Sequence, residues 1–159
     1  MEKAIYFDMD GSLNRFYDIP DWREKLDAHD PSPYRNAAPM WDMVALCEAI
    51  GKLAELGVMF GIISWLSKNS DANYNRETRQ AKREWLEEMG LMKHMEEVHL
   101  VKYGTPKHTV PNVRHAMLVD DNASVRAAWE NYGGETIDPT EVDLIELFNK
   151  MIEEAEEEK

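Results

Sequence analysis

Two carboxylates, Asp8 and Asp10, stand one residue apart directly after the apolar run Ala4-Ile5-Tyr6-Phe7. A second pair, Asp120-Asp121, follows another apolar run, "HAMLV" at 115–119. Between them "VMFGIIS" (58–64) ends in Ser64, with Trp65 and Leu66 next. Four acids meeting in one crevice repel unless a cation neutralises them. An all-oxygen donor set of this kind suits Mg²⁺, which holds one or two carboxylates and keeps room for phosphate oxygens. A phosphoryl group needs donors for its oxygens and an in-line nucleophile. Ser64 and the amides after it can donate, and Lys102 or Lys107 can add a positive charge. A carboxylate nucleophile yields an aspartyl-phosphate. An acid two residues on can protonate the leaving oxygen and then activate water.

The elements around these residues predict how they meet. The continuous apolar run at 4–7 reads as a strand buried on both faces, "VMFGIIS" (58–64) as a second buried strand, "EVHLV" (97–101) and "HAMLV" (115–119) as a third and fourth, and "ETI" (135–137) as a short fifth. Apolar spacing of three and four predicts a helix over Met40–Leu56, with Trp41, Ala45, Ala49, Leu53 and Leu56 inward and Gly57 as its stop. A polar loop, "KNSDANYN", precedes a helix over 76–90. Val125, Ala128, Trp129 and Tyr132 mark another before Gly133-Gly134, and Thr140 with Asp143 frames a capping box for the last. Residues 12–39 hold four of the seven prolines, Pro20, Pro31, Pro33 and Pro39. They read as a loop-rich insertion with one short helix near "DWREKLDAH". "YGTPKHTVPN" (103–112) reads as a loop broken by Pro106 and Pro111. Strands alternating with helices predict an α/β architecture: one domain over 1–159, a central parallel sheet of about five strands, and helices on both faces. Ligands of such sheets bind beyond the carboxyl ends of the strands, where all the marked residues fall.

The whole chain narrows the partners. Its 159 residues carry 31 acids against 18 Lys and Arg, a formal charge of −13. The tail "EEAEEEK" accounts for part of it, but the remainder is still at −9. That charge disfavours gripping a nucleic-acid backbone. A lone cysteine, Cys47, suits a reducing cytoplasm, and the helix it sits in makes it a core thiol. The first residues show no signal-peptide pattern, and no apolar run is long enough for a bilayer.

The motifs also carry a resemblance. "FDMDGSL" resembles the DxDGT/S first motif of haloacid dehalogenase (HAD) superfamily phosphatases. "GIIS" resembles their second motif and "LVDDN" their fourth, in the same order and over residues 4 to 122. The resemblance implies a three-layer Rossmann-like fold with a minimal cap at about 12–39. It implies Asp8 as nucleophile, Asp10 as general acid/base and Ser64, beside Trp65, as the phosphate binder. Asp121 would hold Mg²⁺ with Asp8 and the Asp10 carbonyl, while Asp120 supports the metal shell. For the lysine of the third motif, Lys107 lies 13 residues before Asp120. This is similar to the 5′(3′)-deoxyribonucleotidase branch; Lys102 is the alternative. That branch carries a larger helical cap, so its substrate is not inherited. Receiver domains use the same residue types, but their paired acids come first in the chain.

The expected activity is therefore Mg²⁺-dependent hydrolysis of a small phosphate ester, nucleotide-like in preference. The alternatives are a non-catalytic phosphate- and Mg²⁺-binding module and a phosphotransferase. An open crevice admits a large substrate end, or a small one if a second subunit of a homo-oligomer supplies the lid. Trp65 and Leu66 either line the site and stack on a base or sugar or pack on the domain as loop hydrophobes. Phe16, Tyr17 and Trp22 either close over a substrate or pack the insertion down. Arg76 and Arg79 are candidates for a second phosphate or plain helix-surface charges.

Overall fold

The computed structural model describes residues 3–111 and 115–158; the expected loop over 103–112 ends at Asn112, outside them. Five strands, β1 (Lys3–Phe7), β2 (Val58–Trp65), β3 (Glu97–Val101), β4 (Met117–Val119) and β5 (Glu135–Ile137), form one sheet. Their order is β3-β2-β1-β4-β5 and every pairing is parallel. The helices are α1 (Trp22–Asp27), α2 (Ser32–Asn36), α3 (Met43–Glu55), α4 (Ala72–Glu88), α5 (Ala123–Asn131) and α6 (Leu144–Glu157). This is the α/β architecture that the alternation of elements predicts.

Alternate residues of β1 serve opposite faces, as strand geometry requires. Ile5 and Phe7 meet Leu46, Ile50 and Leu53 of α3, Trp85 and Leu86 of α4, and Phe148 and Ile152 of α6. Phe7 stacks on Phe60 at 5.9 Å and meets Phe148 edge-on at 6.0 Å. Ala4 and Tyr6 face the other way, onto Leu118, Ile63 and Trp129 of α5. Tyr6 lies across β2 because Gly61 has no side chain: a Cβ there would stand 2.7 Å from the ring. The inward stripe of α3 is Leu46, Ala49, Ile50 and Leu53; of the expected stripe, Trp41 precedes the helix and Ala45 and Leu56 are only half-buried. Among the described residues no helix is long and apolar enough to cross a membrane.

Boundaries moved where a cap decides them. Asp42 accepts from the Ala45 amide, so α3 starts at Met43 rather than Met40. Asp71 accepts from the Tyr74 amide and starts α4 four residues before Arg76, absorbing half of the expected loop. Asp143, not Thr140, caps α6; the Thr140 hydroxyl donates to Asp138 instead. In each case a carboxylate reaches the free amides of the first turn.

Residues 12–39 hold two short helices, α1 and α2, where the sequence indicates room for one. Their two ends are clasped: the Arg15 amide donates to Ala38 and the Met40 amide to Leu13. The segment is fastened to α4. Trp85 Nε1 donates to the Ala37 carbonyl at 2.7 Å and the Tyr74 hydroxyl to Asp30 at 2.9 Å. Arg35 pairs with Glu84 and Glu88, and Phe16 stacks on Tyr34 at 4.8 Å. Phe16 thus packs inward, while Tyr17 beside it stays half-exposed.

Candidate active site

β1 and β4 are the neighbours at which strand order reverses, the switch point where crevices form in such sheets. Phe7 pairs with Val119, so the next residues, Asp8 and Asp120, leave the sheet side by side. The Asp8 amide still donates to the Val119 carbonyl at 2.9 Å. One carboxylate oxygen from each of Asp8, Asp120 and Asp121 lies within 4.8 Å of the others.

Gly11 allows the turn after β1 to come this close. Its φ is +82°, and a Cβ would stand 2.4 Å from Asp121 Oδ2 and 2.9 Å from the Tyr17 ring. Ser12, wholly buried, bridges the two acid motifs: its Oγ is 3.0 Å from Asp8 Oδ2 and 3.3 Å from Asp121 Oδ1, and it accepts from the Asp121 amide at 3.1 Å. Asn122 caps α5, and Asp120 accepts from the Asn122 amide.

Lys107 sits in a short 3-10 turn (Lys107–Thr109) after β3. Its Nζ donates to Asp8 Oδ1 at 2.9 Å and to Asp120 Oδ2 at 2.8 Å. Lys102 is exposed on the surface. Burial alone would pull the Lys107 ammonium down, but Asp8 and Asp120 outweigh it and its pKa rises.

The neighbouring acids are shifted upward too, which for them favours the neutral form. Burial, then the charge of Asp8, push Asp120 up to about 6, partly offset by Lys107. Burial, then the charge of Asp8 and a hydrogen bond to it, push Asp121 up to about 8. Such a set cannot ionise fully at neutral pH without a further cation. Its donors are all carboxylate oxygens, which fit a hard divalent ion.

Asp10 is held apart from this group. Its Oδ2 accepts from Lys82 Nζ at 2.9 Å and its Oδ1 from Asn14 Nδ2 at 3.2 Å. Lys82 also donates to Ser64 Oγ at 2.7 Å. Sequence reading missed Lys82, which lies among the charges of "RQAKREW". The available signal was its place on the inward stripe of α4, with Tyr74, Thr78, Ala81 and Trp85. Ser12 and Asn14 were likewise legible only as parts of the turn.

The cleft beyond these groups measures about 260 Å³. Tyr17, Trp22 and Leu26 line it from residues 12–39; Trp65 and Tyr103 line it from the ends of β2 and β3. Trp65 gives its indole N–H to the Thr105 carbonyl at 2.8 Å, and its ring centroid lies 5.4 Å from Lys107 Nζ. Tyr103 packs on Trp65 at 5.0 Å and is half-exposed. Burial, then Asp10 and Asp121, raise the Tyr17 pKa above its ordinary range, so the phenol stays protonated. Arg76 donates to Asn73 and Arg79 to the Leu100 carbonyl; neither lines the cleft.

No family model matches the chain, and no curated protein matches it. Among solved structures it is similar to D,D-heptose 1,7-bisphosphate phosphatase from Burkholderia Thailandensis, with a TM-score of 0.51 and 13% identity over 84% of this chain and 75% of that one. An uncharacterized protein from Corynebacterium glutamicum aligns with a TM-score of 0.47 at 14% identity over 98% of this chain and 95% of that one. The HAD domain of effector protein Lem4 from Legionella pneumophila gives 0.47 at 11% identity over 99% and 98%. At 13% identity the likeness to the heptose bisphosphate phosphatase is one of fold.

Proposed function

We propose that the chain is a phosphomonoester hydrolase of the HAD kind that forms an aspartyl-phosphate on Asp8 with Mg²⁺ as its cofactor. The observation that carries this is the meeting of Asp8, Asp120 and Asp121 within 4.8 Å, with Lys107 tied to two of them. Asp8, Asp121 and the Asp10 carbonyl are the groups that would hold the ion, with Asp120 supporting them. The Asp10 carboxylate is engaged by Lys82 and Asn14 instead. When bound, Mg²⁺ would offset the acids and the negative charge of the phosphoryl group.

The protein groups account for two displacements. In the first, an Asp8 carboxylate oxygen forms a bond to phosphorus as the ester P–O bond breaks; Asp10, which must take up a proton before this step, gives that proton to the leaving oxygen. In the second, Asp10 takes a proton from water as the water oxygen bonds to phosphorus. The bond to Asp8 then breaks, releasing inorganic phosphate and restoring the carboxylate. Lys107 holds Asp8 in place and adds positive charge beside the transferred group. Ser64 donates to a phosphoryl oxygen. The small aromatic-walled cleft favours a small ester with a flat organic group, of which a nucleotide is one example.

Phosphate release from a panel of nucleotides, sugar phosphates and phosphopeptides, with Mg²⁺ and with EDTA, tests the reading. Release that requires both Mg²⁺ and Asp8 supports it. Absence of Asp8-dependent release across the panel refutes it and favours a binding module.

A further inference from the structure

Lys82 is fully buried, with 0% of its surface exposed, and comes from α4 rather than from a strand end. Its ammonium meets Asp10 Oδ2 at 2.9 Å, Ser64 Oγ at 2.7 Å and the face of the Tyr34 ring at 4.8 Å from the centroid. A buried charge with an ionic partner, a hydroxyl and a ring in contact is costly to place unless those contacts are kept. Neither Lys82 nor the buried Ser64 lines the open cleft, whereas Asp10 does, so any effect of Lys82 on a ligand passes through Asp10 and through the Ser64 hydroxyl at the floor of the site.

An ammonium donates and cannot accept. With Lys82 donating into Ser64 Oγ, the serine proton must go to some other acceptor, and the hydroxyl becomes a charge-assisted donor. The same ammonium restrains one oxygen of Asp10 while Asn14 restrains the other.

We propose that Lys82 is a positioning residue: it fixes the Ser64 hydroxyl as a donor to a phosphoryl oxygen and fixes the Asp10 carboxylate in its working orientation. The proposal rests on the roles given to Ser64 and Asp10 above. Tyr34, brought by residues 12–39, closes the outer side of the ammonium, so the position of that segment and the geometry of the phosphate site are joined through Lys82.

The probe is orthovanadate, a phosphate mimic, titrated calorimetrically in the presence of Mg²⁺. Lys82→Met should weaken vanadate binding roughly 10- to 100-fold, the size of effect that supporting partners of a site carry. It should also raise KM and lower kcat, while Mg²⁺ affinity stays unchanged. In a Ser64→Ala background the same substitution should cost less vanadate affinity than in the wild type, because only the part carried by Asp10 remains. Unchanged vanadate binding in Lys82→Met, or an undiminished loss in the Ser64→Ala background, overturns the proposal.

If Lys82→Met leaves Asp10 unpaired and the chain does not fold, Lys82→Met/Asp10→Asn is compared with Asp10→Asn alone. Weaker vanadate binding in the double variant supports the proposal; equal binding overturns it. Lack of Asp8-dependent turnover in the wild type would sink the hydrolase reading, yet the vanadate comparison would still decide the role of Lys82.

Discussion

Asp8 and Asp121 belong to opposite ends of the sequence, yet their carboxylates offer oxygens within 4.8 Å of each other, and Ser12 Oγ stands between them at 3.0 and 3.3 Å. The contact follows from the pairing of β1 with β4, which places the ends of both strands at one point of the sheet. Two carboxylates this close share protons or share a cation.

Asp8→Asn keeps the size of the side chain and removes the nucleophilic charge. Turnover should fall by at least ~10³-fold, in line with loss of a group on which the chemical step depends. A phosphate-release assay beside a thermal melt checks it. Residual turnover near wild type with an intact melt would rule out Asp8 as nucleophile.

Asp10→Asn and Asp121→Asn should separate chemistry from metal binding. The Asp10 carboxylate is paired with Lys82 and stands outside the three-acid group, so its loss should slow turnover ~10²–10⁴-fold and spare Mg²⁺ affinity. Asp121→Asn should lower Mg²⁺ affinity directly. Calorimetric Mg²⁺ titration of both variants decides; equal loss of metal in the two would contradict the separate roles.

Asp120 and Asp121 are pushed up to about 6 and about 8, above the ~3.9 of an unfolded Asp. The native chain therefore binds more protons than the unfolded chain between those limits. With more protons on the native side, metal-free stability falls as pH rises through that window. The melting temperature measured in EDTA should drop from pH 5 to pH 9 (roughly the window these groups span), and Mg²⁺ should flatten the decline while binding releases protons. A metal-free melting temperature that climbs with pH over this range would exclude the arrangement.

Gly11→Ala places a methyl 2.4 Å from Asp121 Oδ2 at a φ of +82°. The left-handed backbone alone costs about 1–2 kcal/mol, and the displaced carboxylate should weaken Mg²⁺ binding as well. Urea unfolding and Mg²⁺ titration of the variant read the two effects separately. Wild-type values for both would mean that the turn is not held as close as the structure has it.

Trp85→Ala removes a wholly buried ring and the N–H that holds the Ala37 carbonyl. The expected destabilisation is about 3–5 kcal/mol, read from chemical denaturation. A loss under about 1 kcal/mol, less than the single hydrogen bond contributes, would mean that α4 does not anchor residues 12–39.

Much of the fold was legible because apolar runs and caps act locally. Glu97–Val101 and Glu135–Ile137 are strands with the expected bounds, since short segments rich in Val, Leu, Ile and Thr between turn residues favour extended backbone. Where Asp42, Asp71 and Asp143 reach nearby amides, helix starts or caps moved by three or four residues, because several polar residues near each start compete for the same free amides.

The order of Asp8, Asp10, Ser64, Asp120 and Asp121 at the ends of apolar runs was fixed by sequence, and parallel strands bring such ends to one side of a sheet. Tertiary structure alone chose among the lysines. Lys102, Lys107 and Lys82 are equally polar in the chain; helical spacing puts Lys82 on the inward stripe of α4, but nothing local names the partners that any of the three ammonium groups will meet. Packing turned Lys107 toward Asp8 and Asp120, left Lys102 in solvent, and covered Lys82 with Tyr34 against Asp10 and Ser64. A buried ammonium is stable only beside carboxylates, and which carboxylates stand beside it depends on contacts between residues far apart in the chain.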